Sequence, residues 1–102
     1  LLGAGDDGHT SSIFPTQEHL LTTNEVYAVS EHPVNKIKRI ALTGKPIQCA
    51  KSVLFVINGD TKSEVVKSML ADKNSGPAAY LAHTSANVEL FLDSKAASKI
   101  DK

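Results

Sequence analysis

A chain of 102 residues in which eleven lysines and arginines balance eleven aspartates and glutamates has no net charge to draw it to nucleic acid or to an anionic membrane surface, so any anion it holds must be held locally. No apolar run approaches the roughly 20 residues that span a bilayer, which excludes a transmembrane helix within the sequence. Cys49 is the single cysteine: it rules out an internal disulfide, suits a reducing, cytoplasmic compartment, and between Gln48 and Ala50 reads as a small apolar filler.

The chain opens on Leu1-Leu2-Gly3, without an initiator methionine, and reads as the end of a buried strand that begins upstream. The expectation is one domain over residues 1–102 that forms the C-terminal portion of a larger one. Gly3, Gly5 and Gly8 then share one short turn with Asp7 and His9. Glycines let the backbone approach a ligand or take up positive φ, and the acid and imidazole beside them bring chemistry that a packed core does not need. Further along, Val26 to Ser30 and Arg39 to Thr43 read as strands, joined by a loop over Glu31-His32-Pro33-Val34-Asn35-Lys36. Val53 to Asn58 is a third strand. Its apolar residues run continuously instead of alternating, which predicts cover on both faces.

Thr61-Lys62-Ser63-Glu64 has the form of a capping box, with Thr61 as the cap, and Val65, Val66, Met69 and Leu70 then share one helical face. Asp72 to Pro77 is a polar turn cluster, and Val88 to Leu92 a fourth strand. Asp93 caps a final helix that shows Ala96, Ala97 and Ile100 on one side. Short β-branched strands alternating with helical patterns define the class: α/β, with a mainly parallel sheet flanked by helices.

Two functional readings arise from the glycine turn. Gly3, Gly5 and Gly8 satisfy the G-x-G-x-x-G spacing of a dinucleotide-binding loop, and Glu31 ends a following strand about where a ribose-binding acid would sit. That fingerprint should open an apolar helix, whereas this one runs into His9-Thr10-Ser11-Ser12 and reaches Pro15 within two turns. The other reading is catalytic, with Asp7 and His9 as an acid–base pair. A metal reading of the same two residues lacks a second histidine or a cysteine nearby.

The run Gly3-Ala4-Gly5-Asp6-Asp7-Gly8-His9-Thr10-Ser11-Ser12-Ile13-Phe14-Pro15 resembles the G-x-G-x-D-G-H-x-A-S-L-F-P signature of the 6-phosphogluconolactonases, which share a superfamily with the glucosamine-6-phosphate deaminases. The resemblance extends over nearly the whole chain. It implies a Rossmann-like sugar-phosphate isomerase/deaminase fold and hydrolysis of 6-phospho-D-glucono-1,5-lactone to 6-phosphogluconate in the oxidative pentose phosphate pathway, with a small sugar-phosphate lactone as ligand and no metal or other cofactor. Carried over, His9 is the general base for water and Asp7 its orienting neighbour. Gly5 and Gly8 are substrate-binding residues, and Lys62, in the turn after the third strand, is a phosphate ligand; stabilisation of the oxyanion by backbone amides of the glycine loop is a further hypothesis. Arg39 opens a segment resembling the lactonase R-I-T-L-T-L-P-V-L-N-A-A-R, with Ala41 in place of the first Thr and Gly44-Lys45 in place of Leu-Pro. Its fork suits a phosphate.

Two alternatives stay open beside this one: an amino-sugar-phosphate deaminase or isomerase of the same fold, and a dinucleotide-binding module without chemistry. The deaminase subgroup reads D-G-H-I-A-F-N-E-P, and no glutamate stands at the comparable place here. His19 and His32 read as surface residues, and His83, in a late P-A-x-x-h segment (h marks an apolar residue), as structural. Strand edges left open at Leu1 predict self-association or pairing with an N-terminal part, and the 102 residues alone are not expected to be a competent enzyme.

Overall fold

The computed structural model describes residues 1–100. Its centre is a parallel pair, β3 (Val53–Ile57) and β4 (Val88–Leu92), in register from Val53 opposite Val88 to Ile57 opposite Leu92. Leu2 extends this sheet on the far side of β3. Its amide donates to the Leu54 carbonyl at 2.7 Å and its carbonyl accepts from Val56 at 2.9 Å, a parallel bridge that carries the chain straight from the sheet into the glycine turn. The α/β class with a parallel sheet and flanking helices is the one observed.

Only one face of β3 is covered, against the expectation of two. Val53, Phe55 and Ile57 lie in the core, while Val56 and its β4 neighbour Phe91 are each half exposed. Phe55 is fully buried, and truncating it to alanine would cost roughly 3–5 kcal/mol.

β1 (Tyr27–Glu31) and β2 (Lys38–Leu42) form a separate antiparallel hairpin. The connection 32–37 dictates this. A parallel pair needs a crossover of a dozen residues or more, so so short a link can only reverse the chain. The inner face packs Ala41 and Ser30 inward, while Tyr27, Val29 and Ile40 face outward.

Among the described residues three α-helices complete the layer: α1 (Gly44–Gln48), α2 (Ser63–Ala71) and α3 (Pro77–Thr84). α1 follows β2 directly, and its first residue must be small. A Cβ on Gly44 would fall 2.3 Å from the Leu21 carbonyl oxygen of the preceding 3-10 segment Pro15–Leu21.

α2 begins after a 3-10 turn, Asp60–Lys62, and buries Val65, Val66 and Met69, whereas Leu70 stays 45% exposed. The predicted capping box does not form. Lys62 occupies the cap position, and Glu64 reaches away to Lys99 Nζ at 2.6 Å. α3, unforeseen as a helix, starts on Pro77 and packs Ala78, Ala79 and Leu81 against the core. His83 ties it to α2, its Nε2–H donating to the Met69 carbonyl at 2.6 Å.

After β4, Asp93 does cap. Its Oδ1 accepts the Ala96 amide at 2.8 Å and the Gly59 amide at 3.2 Å, but the residues that follow form successive turns, not the expected helix. Cys49, read as a filler, is exposed at the end of α1.

Candidate active site

The glycine turn closes on itself before it offers anything to a ligand. Gly5 N–H donates to the His9 carbonyl and Gly8 N–H to the Gly5 carbonyl, each at 2.9 Å. Both amides are thereby committed internally, so an oxyanion would have to be met by other amides of the loop. The glycines serve by shape. Gly8 has φ of 89°, a conformation that side-chain-bearing residues avoid, and its carbonyl accepts the Ala78 amide at 2.9 Å, pinning the turn to the start of α3. A Cβ on Gly5 would lie 2.1 Å from His9 Cε1 and Nδ1, so only glycine leaves room for the imidazole.

Within this frame Asp7 and His9 meet. Asp7 Oδ1 accepts the His9 backbone N–H at 3.0 Å and the ring Nδ1–H at 2.6 Å. Partial burial pushes the Asp7 carboxyl up, but the hydrogen bonds from the His9 ring and backbone, with the attraction of His9, outweigh it and hold the carboxyl below its ordinary value. Ionised Asp7 fixes the proton on Nδ1 and leaves Nε2 as the free acceptor. The ring also lies 4.9 Å from Phe14, which is almost fully buried.

Beyond His9 the backbone reverses at Ser11 and Ser12, with φ of 51° and 58°. Thr10 and Ile13 pair across this two-residue turn, Thr10 Oγ1 donates to the Gly3 carbonyl at 2.7 Å, and Ser11 Oγ donates to the Leu42 carbonyl at 3.0 Å. Two consecutive left-handed serines cost energy that their neighbours must offset, a pattern that clusters at functional sites. The reversal also stops the glycines from opening a helix. Glu31 faces Lys38 in an antiparallel hairpin, so neither half of the dinucleotide arrangement forms.

An open cleft of about 310 Å³ lies over this turn, lined by Gly3 to Gly5, His9, Thr10, Ser11, Ser12 and Lys62. The structure thus brings His9 and Lys62 to one cavity from separate elements. Lys62 Nζ is 2.9 Å from Asp6 Oδ1, a pair whose carboxylate is 69% exposed. Asp7 and Gly8 line a smaller neighbouring cleft instead, which places Asp7 behind the imidazole. Arg39 is not brought to the cavity. It is exposed on β2 three residues before Leu42, about 10 Å along a strand from the contact with Ser11. Thr10, Ser11 and Ser12 are cavity residues that the sequence reading passed over. Among the described residues, no helix is long and apolar enough to cross a membrane.

Residues 1–90 match the family model described as glucosamine-6-phosphate isomerases/6-phosphogluconolactonase. The human protein named 6-phosphogluconolactonase is 36% identical over 100 residues, an alignment covering 95% of this chain and 39% of that protein. The protein of that name from Aggregatibacter actinomycetemcomitans is also 36% identical over 100 residues, covering 95% of this chain and 43% of its own length. Among solved structures, 6-phosphogluconolactonase from Trypanosoma brucei superposes with a TM-score of 0.84 at 32% identity, over 98% of this chain and 41% of that one. The chain therefore spans about two fifths of the length of the relatives it matches.

Proposed function

The chain belongs to the glucosamine-6-phosphate isomerase/6-phosphogluconolactonase family, and from that membership we propose that it carries the acid–base and phosphate-holding parts of a lactonase acting on 6-phospho-D-glucono-1,5-lactone. In this reading His9 Nε2 takes a proton from a water molecule as the water oxygen attacks the lactone carbonyl. The tetrahedral intermediate collapses with cleavage of the bond from the carbonyl carbon to the ring oxygen, and the departing oxygen receives the proton from Nε2–H. Asp7 holds the opposite nitrogen throughout and stabilises the transient imidazolium. A positioned base of this kind contributes typically 10²–10⁴-fold, and an imidazole suits neutral pH. Lys62 holds the phosphate, exchanging Asp6 for it. No step calls for a metal or redox group.

The observation that carries this reading is the convergence of His9, with Nδ1 bound to Asp7, and Lys62 on one cleft. The names of the relatives above 30% identity favour the lactone over an amino sugar. Assaying these residues within a protein of the relatives' full length, with the phosphorylated lactone, with the unphosphorylated lactone and with glucosamine 6-phosphate, tests it. Preference for the first is expected, and turnover of the amino sugar alone would replace it with the deaminase reading.

A further inference from the structure

We propose that His32, in the loop between β1 and β2, is a positioning residue that seats the His9 imidazole through Phe14. The kinetic part of the test below rests on the lactonase reading of His9, and the spectroscopic part does not.

Three rings stand one after another, His9 and Phe14 from the glycine-turn segment and His32 from the loop between β1 and β2. His9 lies 4.9 Å from Phe14 at a 42° tilt, and Phe14 meets His32 edge-on at 5.1 Å and 68°. Aromatic rings at these separations attract through their quadrupoles. Phe14, the middle ring, is 2% exposed, so it has no freedom to retreat and transmits position from one imidazole to the other.

His32 is itself fixed. Its ring Nδ1 accepts the amides of Val34 at 3.1 Å and Asn35 at 3.3 Å, which leaves the proton on Nε2 and sets the ring plane. Its backbone N–H donates to the Ile37 carbonyl at 2.9 Å, and its carbonyl accepts the Lys36 amide at 3.0 Å, so the loop closes around the ring. Ser11 Oγ, bonded to the Leu42 carbonyl, fastens the same hairpin to the cleft wall. His9 needs such a buttress. The single ring contact to Asp7 fixes Nδ1 but lets the imidazole pivot about that bond, and a base must hold its lone pair within about 10–20° of the productive direction. Phe14, backed by His32, blocks the pivot.

Two variants separate the ring from the loop. His32→Asn keeps an acceptor for the loop amides and removes the ring, and His32→Phe keeps the ring and removes the acceptor. The readouts are the Nδ1–H proton resonance of His9 in protein labelled with ¹⁵N-histidine, and kcat and KM on the phosphorylated lactone. For His32→Asn the expected result is a shifted or broadened His9 resonance and a kcat lower by about 3- to 10-fold with KM within about 2-fold. His32→Phe should restore both close to the parent values while lowering Tm. An unchanged His9 resonance in His32→Asn overturns the proposal, as does equal damage from both variants, which would assign the effect to loop closure. Should a protein of the relatives' full length that carries these residues turn over no lactone, the lactonase reading fails while the His9 resonance still decides the role of His32.

Discussion

At one end of the cleft the acid–base pair closes within three consecutive residues, Asp7 Oδ1 accepting both the backbone N–H and the ring Nδ1–H of His9, whereas at the other end Lys62 reaches from a different element to a carboxylate that is 69% exposed. The difference is one of preorganisation. A contact between residues two apart, inside a turn already closed by Gly5 and Gly8, costs little further chain entropy and is in place before a substrate arrives. A long lysine side chain paired at the surface gains little and exchanges partners readily. On the proposed reading, the turn keeps one geometry through the reaction, and the corner after β3 lets go of Asp6 when an anion enters.

Replacing His9 breaks the fixed end outright and gives the largest effect. In the full-length enzyme, His9→Ala should lower kcat by roughly 10²-fold or more with a smaller change in substrate binding, as loss of a general base implies. A near-normal kcat would remove His9 from the mechanism. The exchangeable end should respond in the opposite quantity. Lys62→Ala should weaken 6-phosphogluconate binding by roughly 1.5–3 kcal/mol, the range for a hydrogen bond to a charged group, measured by calorimetry. The loss should largely vanish for unphosphorylated gluconate, and equal damage to both ligands would make Lys62 structural.

Gly5→Ala sharpens the comparison without touching a chemical group. The added methyl would stand 2.1 Å from two ring atoms of His9, and because the obstruction is a side chain the imidazole will swing off Asp7 while the turn survives. A kcat loss of about 10-fold with Tm nearly unchanged is expected. Unchanged kinetics would mean that the ring tolerates displacement and that the fixed geometry matters less than the pair itself.

What the sequence disclosed follows the same division between local and distant causes. Asp7, His9 and the glycines were legible because the chemistry and the backbone that shapes it lie within a few residues, whereas Lys62 was singled out only by its match to a family position, a first-turn lysine being by itself most often just solvated. α1 escaped because a five-residue helix that contains Gly44 and Pro46 carries the residues that usually end helices. α3 escaped because Ala78, Ala79 and Ala82 give little polar contrast between its faces. The Ser11-Ser12 reversal carries no glycine or asparagine to announce positive φ. Glu64 looked like half of a capping box until a partner 35 residues away, Lys99, took it. The meeting of His32 with Phe14 is likewise set by how the hairpin packs. Arg39 is the reverse case: local chemistry suited to a phosphate, on a strand that the fold holds away from the cleft.

The smallest effect tests the exchangeable end from its other partner. If Lys62 must leave Asp6 to take a phosphate, the ion pair competes with the ligand, and removing the carboxylate should strengthen binding. Exposed pairs of this kind contribute about 0–1 kcal/mol, so Asp6→Asn should tighten 6-phosphogluconate by no more than about 5-fold, and by less at high salt, where the pair is already screened. The direction carries the argument, because most substitutions next to a binding site weaken it. The gain should also disappear in the Asp6→Asn, Lys62→Ala double variant, since without the lysine there is nothing for Asp6 to compete over. Weaker binding in Asp6→Asn would mean that the carboxylate aims Lys62 at the phosphate and stays with it in the complex, which would make both ends of the cleft preorganised.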